Sequence, residues 1–396
     1  MLSDTEHVWD RVIVIPACDE LEQLPLCLHS LALRNHNAIL ILVLNAREDA
    51  PGRVHQHNQQ LFEWLRSHPH RQLDPDRWYV QLRGLDIWLI DRFSAGRRFA
   101  AKQGVGLARS IGAEYAMTLY KTGRLTYPWL WCSDADVRFP AGYFDPFPFN
   151  EGAALSPYTH QPAPEELQRY EISMRYYVLG LHWAGSPYAY STIGSTIAIH
   201  LETYRSVRGF PHREAGEDFY LLSKVAKTAP VVLLKRPPLM IAGRDSDRVP
   251  FGTGPAMRKI RAQQQALPLY HPEIFIRLRQ WIQTLNSASE ETLVEQLSAQ
   301  APGFPPLQKL PKLLRQRVKG QRVWRRRHEW FDAFKTLKWI HYLRDESLGT
   351  LPFDEAIAQA TFIDAQSREL TALVSAMRQQ EEQQISLKGL IHLNRS

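Results

Sequence analysis

Cysteine is scarce in this chain: three residues in 396, Cys18, Cys27 and Cys132. Their number is odd and no CxxC spacing occurs, which argues against a disulfide framework or a cysteine zinc site and leads to the expectation of a reduced, cytoplasmic setting. No run of about eighteen apolar residues is present, so no membrane-crossing helix is expected. The opening residues, MLSDTEHVWDRV, lack the basic start and apolar stretch of a signal peptide. Internal repeats and low-complexity tracts are missing too, and neither the dinucleotide fingerprint GxGxxG nor the P-loop pattern GxxxxGKS/T is found. What remains is the make-up of an ordinary folded protein, 44% hydrophobic and 22% charged. Its net charge of +7 suits phosphate-bearing ligands, anionic lipid heads or nucleic acid equally and selects none of them.

Hydrophobic patterning predicts alternating strands and helices. RVIVIPACDE (11–20) reads as a β-branched strand stopped by Pro16, and LEQLPLCLHSL as the helix after it. AILILVLN (38–45) is a near-continuous apolar run, the pattern of a strand covered on both faces. LDIWLID (85–91) and YPWLWCSDAD (127–136) read as further strands, with the helix VGLARSIGAEYAMTLYKTG between them. Such alternation builds a mostly parallel sheet whose ligands sit at the carboxyl ends of the strands. ALSPY, EELQRYEISMRYYVLGLHW, STIGSTIAIH, GEDFYLLSKVAK and VVLLK continue the series. Beyond about Gly254 helical patterns take over, so the expected division is one α/β domain, 1–255, and a helical C-terminal region, 256–396. SAQAPGFPPLQKLPKL (298–313) reads as a linker or rigid turn.

Four groups of residues carry chemistry. Asp134 and Asp136 follow the apolar strand WLWC; such a pair fits Mg²⁺ or Mn²⁺, which take carboxylate oxygens together with phosphate oxygens, and it also fits a turn. Glu217 and Asp218 stand where a helix begins, favourable for its dipole, and the bends at Gly209, Pro211 and Gly216 would hold Asp218 over a pocket as a general base. KQGVGLARSIG (102–112) is a glycine-rich helix entry; Gly106 and Gly112 read as close packing of helix on sheet. Lys102 and Arg109 there are either phosphate contacts or a solvated surface. GRDSDRVPFGTG (243–254) sets Arg244 and Arg248 in a turn-rich loop that either closes over an anionic ligand or pairs internally with its own aspartates.

Taken in order, VIVIPACDE, GVGLARSIG, CSDADVRFP, GSTIAIHLETYRSVRGFP and GEDFYLL resemble a family 2 glycosyltransferase with the nucleotide-sugar-binding GT-A fold, over roughly residues 10–255. The resemblance implies a Rossmann-like mixed sheet flanked by helices, and a donor site near Pro16, Ala17 and Glu20. It further implies Mn²⁺ or Mg²⁺ and diphosphate at Asp134 and Asp136, and an acceptor-activating acid at Asp218 beside Glu217. The implied reaction moves a sugar from a nucleotide-diphospho-sugar to an acceptor hydroxyl, with inversion. This chain departs from the family pattern in three places. Asn45 stands where an aspartate usually ends the second strand, no histidine follows between His212 and His271 to complete a metal set, and the QxxRW string of processive synthases is missing. The last departure favours single addition over polymerisation.

The basic stretch 308–344 carries Trp330, Phe334, Leu337 and Ile340 at helical spacing, the pattern of a core-facing amphipathic helix. Peripheral attachment to an anionic membrane ranks second and nucleic acid third, since no recognised module accompanies the charge. Against the glycosyltransferase stand two alternatives. One is a nucleotidyltransferase, whose glycine-rich basic loop is missing from IPACDELEQ. The other is a catalytically silent nucleotide-sugar-binding protein at the membrane surface.

Overall fold

The computed structural model describes residues 7–34, 37–212, 215–243, 257–258, 260, 267–310, 321–365, 367–384 and 387–388. In chain order the first elements are β1 Arg11–Ala17, α1 Gln23–Ala32, β2 Ala38–Asn45, α2 Gly52–Arg66, β3 His70–Asp74, β4 Arg77–Leu82, β5 Leu85–Arg92 and α3 Val105–Lys121. Next come β6 Trp129–Cys132, β7 Val137–Arg138, β8 Ala153–Leu155, β9 Tyr158–Gln161, α4 Glu165–Trp183, β10 Ile197–His200 and α5 Leu201–Ser206. They are followed by α6 Glu217–Thr228, β11 Val231–Leu233 and β12 Leu239–Ala242.

The chain forms two compact units that interleave along the sequence. One comprises 1–162, 192–225 and 234–252, the other 163–191, 226–233 and 253–396. The expected division was a single cut at 255; here the second unit also draws in α4 and β11. The reason for α4 is packing. Its Ile172, Tyr176 and Leu179 belong to the hydrophobic cluster of the C-terminal helices, and Gly180 lies so close to Phe275 that a Cβ would overlap the ring.

In the first unit the main sheet runs β8-β10-β6-β1-β2-β5-β4-β3. β6, β1, β2 and β5 are parallel, while β8, β10, β4 and β3 add antiparallel flanks. This is a mixed α/β sheet flanked by helices. Every residue of β2 is buried, as its unbroken apolar run requires of a strand covered on both faces. α3 lies directly on β1: a Cβ on Gly112 would overlap the Val14 side chain, so the glycine sets the helix-to-sheet distance. The four parallel strands end at one rim. Just beyond it β7, β12 and β9 form a small second sheet, with β12 antiparallel to β7 and parallel to β9.

In the second unit the helices Glu273–Ser287, Leu293–Gln300, Gln321–Trp330, Ala333–Leu343, Phe353–Gln359 and Leu370–Gln384 join α4. Their core centres on Phe275, Trp281, Phe331 and Trp339. The expected basic helix is broken at Asp332, whose carboxylate accepts from the Lys335 amide (3.1 Å) and caps a new helix. That restart rotates the face. Ala333, Thr336, Trp339, Ile340 and Leu343 are buried, Leu337 is half-buried, and Phe334 is exposed, a correction to the expected stripe. In the stretch read as a linker or rigid turn, a short 3₁₀ turn buries Phe304, Leu307 and Leu310 and leaves Pro305, Gln308 and Lys309 exposed; 311–313 lie outside the described residues. Among the described residues no helix is long and apolar enough to cross a membrane.

Candidate active site

β6 ends at Cys132, four residues before the end of the expected strand 127–136, because the chain turns there while β1 runs on to Ala17. The Ser133 amide still donates to Val14 O (3.0 Å), and the Val137 amide then donates to Asp134 O (3.4 Å) to close a turn. Ser133 and Ala135 point into the protein, fully buried, so the residues between them and after them face the rim: Asp134, with 36% of its side chain exposed, and Asp136. Asp136 is tied by its carbonyl, which accepts from the Ala242 amide of β12 (2.9 Å). Cys27 of α1 donates its thiol to Asp134 O at 3.6 Å, a buried thiol that desolvation holds well above its ordinary pKa and therefore protonated.

From the other side comes the start of α6. The approach loop bends at Gly209 and Gly216, both with positive φ, and Lys224 pins it by donating to the carbonyls of Val207 and Gly209 (2.7 Å each). Glu217 enters buried and Asp218 stays partly exposed, its Oδ1 accepting from the Phe219 amide (2.7 Å). Between the strand end and the helix start lies Arg109 of α3, only 3% exposed. Its Nη2 donates to Asp134 Oδ1 (2.5 Å) and its Nη1 to Glu217 Oε1. Gly194 backs the guanidinium so closely that a Cβ there would overlap it.

Two carboxylates thus converge on one guanidinium, and a third, Asp218, acts on it electrostatically. Burial opposes the charge on Arg109, but Asp134, Glu217 and Asp218 outweigh it and hold the group protonated more firmly than usual. With one cation among three acids, two negative charges would be left uncompensated if all three were ionised. Burial and then the neighbouring Glu217 push Asp218 up to about 7, against the pull of Arg109. A partly exposed acid that exchanges its proton near neutrality is what a general base requires.

The other candidate residues fall in different places. Pro16 and Ala17 are buried at the end of β1 and Glu20 just past it, neighbours of the Asp134 rim because β1 pairs with β6. Asn45 is buried at the end of β2 and spends its amide on Ala17 O and Val43 O (3.1 Å each), while its own carbonyl accepts from Asn58 (2.9 Å). Asn58 in turn accepts from the amide of Asp19, which binds His57 and Arg53, so this corner braces the β1–β2 rim. Lys102 is exposed and has no ion-pair partner among the described residues. Arg244 and Arg248 lie outside the described residues. Sequence reasoning missed Gly194, the seat of Arg109; an isolated glycine in the apolar run STIGSTIAIH was its only signal.

Among the described residues no cluster of three or more His, Cys, Asp or Glu could enclose a metal ion. Asp134 and Asp136 nevertheless have the chemistry for Mg²⁺ or Mn²⁺, which bind through one or two carboxylates when phosphate oxygens and waters supply the rest. Arg109 occupies only Oδ1 of Asp134; no hydrogen bond reaches Oδ2 among the described residues, and the side chain is open to solvent.

No known protein-family profile matches the chain, and no curated protein sequence matches it either. Among solved structures the chain is similar to TarS 1–349 from S. aureus, at 11% identity and a TM-score of 0.37, over 94% of this chain and 92% of that one. It is also similar to the mannosyltransferase PcManGT from Pyrobaculum calidifontis, solved with GDP-Man and Mn²⁺, at 14% identity and a TM-score of 0.38, over 96% and 88%.

Proposed function

We propose that the chain is a glycosyltransferase that moves a sugar from a nucleotide-diphospho-sugar donor to an acceptor hydroxyl. One observation carries this reading: Asp218, partly exposed and pushed up to about 7, stands in a cluster with Asp134 at the rim where parallel strands end. Such a rim is where α/β sheets bind ligands. In this reading Asp218 accepts the proton of the acceptor hydroxyl as the oxygen attacks the sugar in a single displacement, which inverts the anomeric carbon. Asp134 and Asp136 would hold a divalent cation, whose chemistry is to neutralise charge on the departing diphosphate. Pro16, Ala17 and Glu20 would border the nucleotide, with Asn45 bracing that border from β2. Arg244 and Arg248 are proposed to meet phosphate, and exposed Lys102 to reach it from the α3 approach.

Thermal melts with a panel of nucleotide sugars, with and without Mn²⁺, test the first step. A donor held at 100 times its Kd stabilises the folded state by about 2.7 kcal/mol, a measurable rise in Tm. For the second step, Asp218→Asn is expected to keep that stabilisation and lose about 10² to 10⁴ in transfer rate. Undiminished turnover in this variant would remove Asp218 from the mechanism.

A further inference from the structure

The sequence leaves Arg109 either a phosphate contact or a solvated surface residue; its buried surroundings point to a different duty. The side chain is buried, both terminal nitrogens are taken by carboxylates, and a glycine closes the space behind it. A phosphate-binding guanidinium must present free N–H groups to a ligand arriving from solvent. What this one presents is a two-sided fork, one prong on the strand end and the other on the helix start. These two segments are 83 positions apart in sequence (134 and 217) and share no backbone hydrogen bond among those described.

We propose that Arg109 is a positioning residue, a buried strut that fixes the distance between Asp134 and the start of α6, with Glu217 as its anchor and Gly194 as its seat. Asp218 is then the only one of the two neighbouring acids that meets the reacting groups. The pairing chemistry favours this division. Glu217 is 2% exposed and engaged with Arg109, whereas among the described residues Asp218 makes only a local bond to the following amide. Lysine could not replace the strut, because an ammonium is a point charge and cannot span two carboxylates in a fixed plane.

What Asp134 and Asp218 do rests on the glycosyltransferase reading; the strut is tested apart from it. Melting temperatures of Arg109→Met, Glu217→Gln and the double variant form a cycle. Losing Arg109 alone strands buried carboxylate charge and is expected to lower Tm by roughly 10 °C. The double variant is expected to recover at least half of that fall, since the anchor's charge goes with the strut. Where Arg109→Met gives no folded protein, recovery of folded protein in the double variant is the same result. Losses that simply add, or no recovery, overturn the strut.

Calorimetry with UDP and with GDP, each with Mn²⁺, supplies the positioning readout. Arg109→Lys keeps the charge without the fork, and Gly194→Ala leaves every charge in place while displacing it. Both are expected to bind the nucleotide that the native protein binds within about threefold, while turnover of the matching nucleotide sugar falls about 10²-fold. An affinity loss of about tenfold or more in Arg109→Lys makes Arg109 a phosphate ligand and overturns the proposal. If the native protein binds neither nucleotide, the glycosyltransferase reading loses its donor and the melting cycle alone decides the strut.

Discussion

Asp218 and Glu217 are adjacent in sequence yet sit in opposite chemical situations, one partly exposed and the other buried against Arg109. The sign of their coupling gives a pH prediction. On the proposed reading Asp218 is the base and must be ionised to act, so transfer is expected to be slow at pH 5 and to rise through the value near 7 to which Asp218 is pushed. Glu217 contributes to that upward push, so Glu217→Gln is expected to move the rising limb to lower pH, whatever it does to the maximal rate. A limb that stays put or moves upward in a pH–rate profile would contradict the coupling. Asp134 and Asp218 were legible in the sequence because a charge at the end of an apolar run, or at a bent helix start, demands an explanation. The task of Arg109 was not legible, since the partners of a guanidinium are fixed by tertiary contacts. Gly194 was hidden for the same reason: its role is to make room for a side chain 85 positions earlier (109 and 194).

At the level of elements, apolar periodicity located β1, β2, β5, α3, α4 and α6 well, because each is long or buried on both faces and the pattern is strong there. The hairpin β3–β4 was missed. β3 is an exposed edge strand with the sequence HRQLD, which has no buried face to impose alternation. The break at Asp332 was missed because the stripe was counted through it, although an aspartate three residues before Lys335 is an N-cap signal. Gly106 and Gly112 were read as close packing; both are buried, and Gly112 meets Val14 directly. Gly112→Val is expected to overpack the α3–β1 contact and cost about 1–3 kcal/mol, read as a lower urea midpoint. The same change at the exposed Gly123 would act by backbone strain instead, given its positive φ.

For the molecule as a whole, the buried group Arg175, Glu171 and Glu381 links α4 to the last long helix. Burial pushes Glu381 up to about 7, with Arg175 pulling the other way and Glu171 and Glu382 adding to the rise. A raised carboxyl contributes its stability in full below its ordinary value of 4.5 and loses it as pH climbs through the folded value. Glu381→Gln, whose amide oxygen can still accept from Arg175, is therefore expected to match the native protein near pH 4.5 and to exceed its Tm above pH 7. Melts across that range check the crossover. The charge of the C-terminal region, which had invited a membrane or nucleic-acid reading, is partly consumed inside it: Arg327 donates to the carbonyls of Leu285 and Ala288, and Arg325 to that of Lys227.

The interleaving of the two units bears on how this protein can be handled and inherited. The chain passes from one unit to the other at 162/163, 191/192, 225/226, 233/234 and 252/253. Expression of residues 1–255 alone would strip α4 of Phe275 and leave Ile172, Tyr176 and Leu179 facing water, an invitation to aggregate. Recombination between genes meets the same obstacle, because no single crossover lifts out the acid-bearing half as a portable cassette.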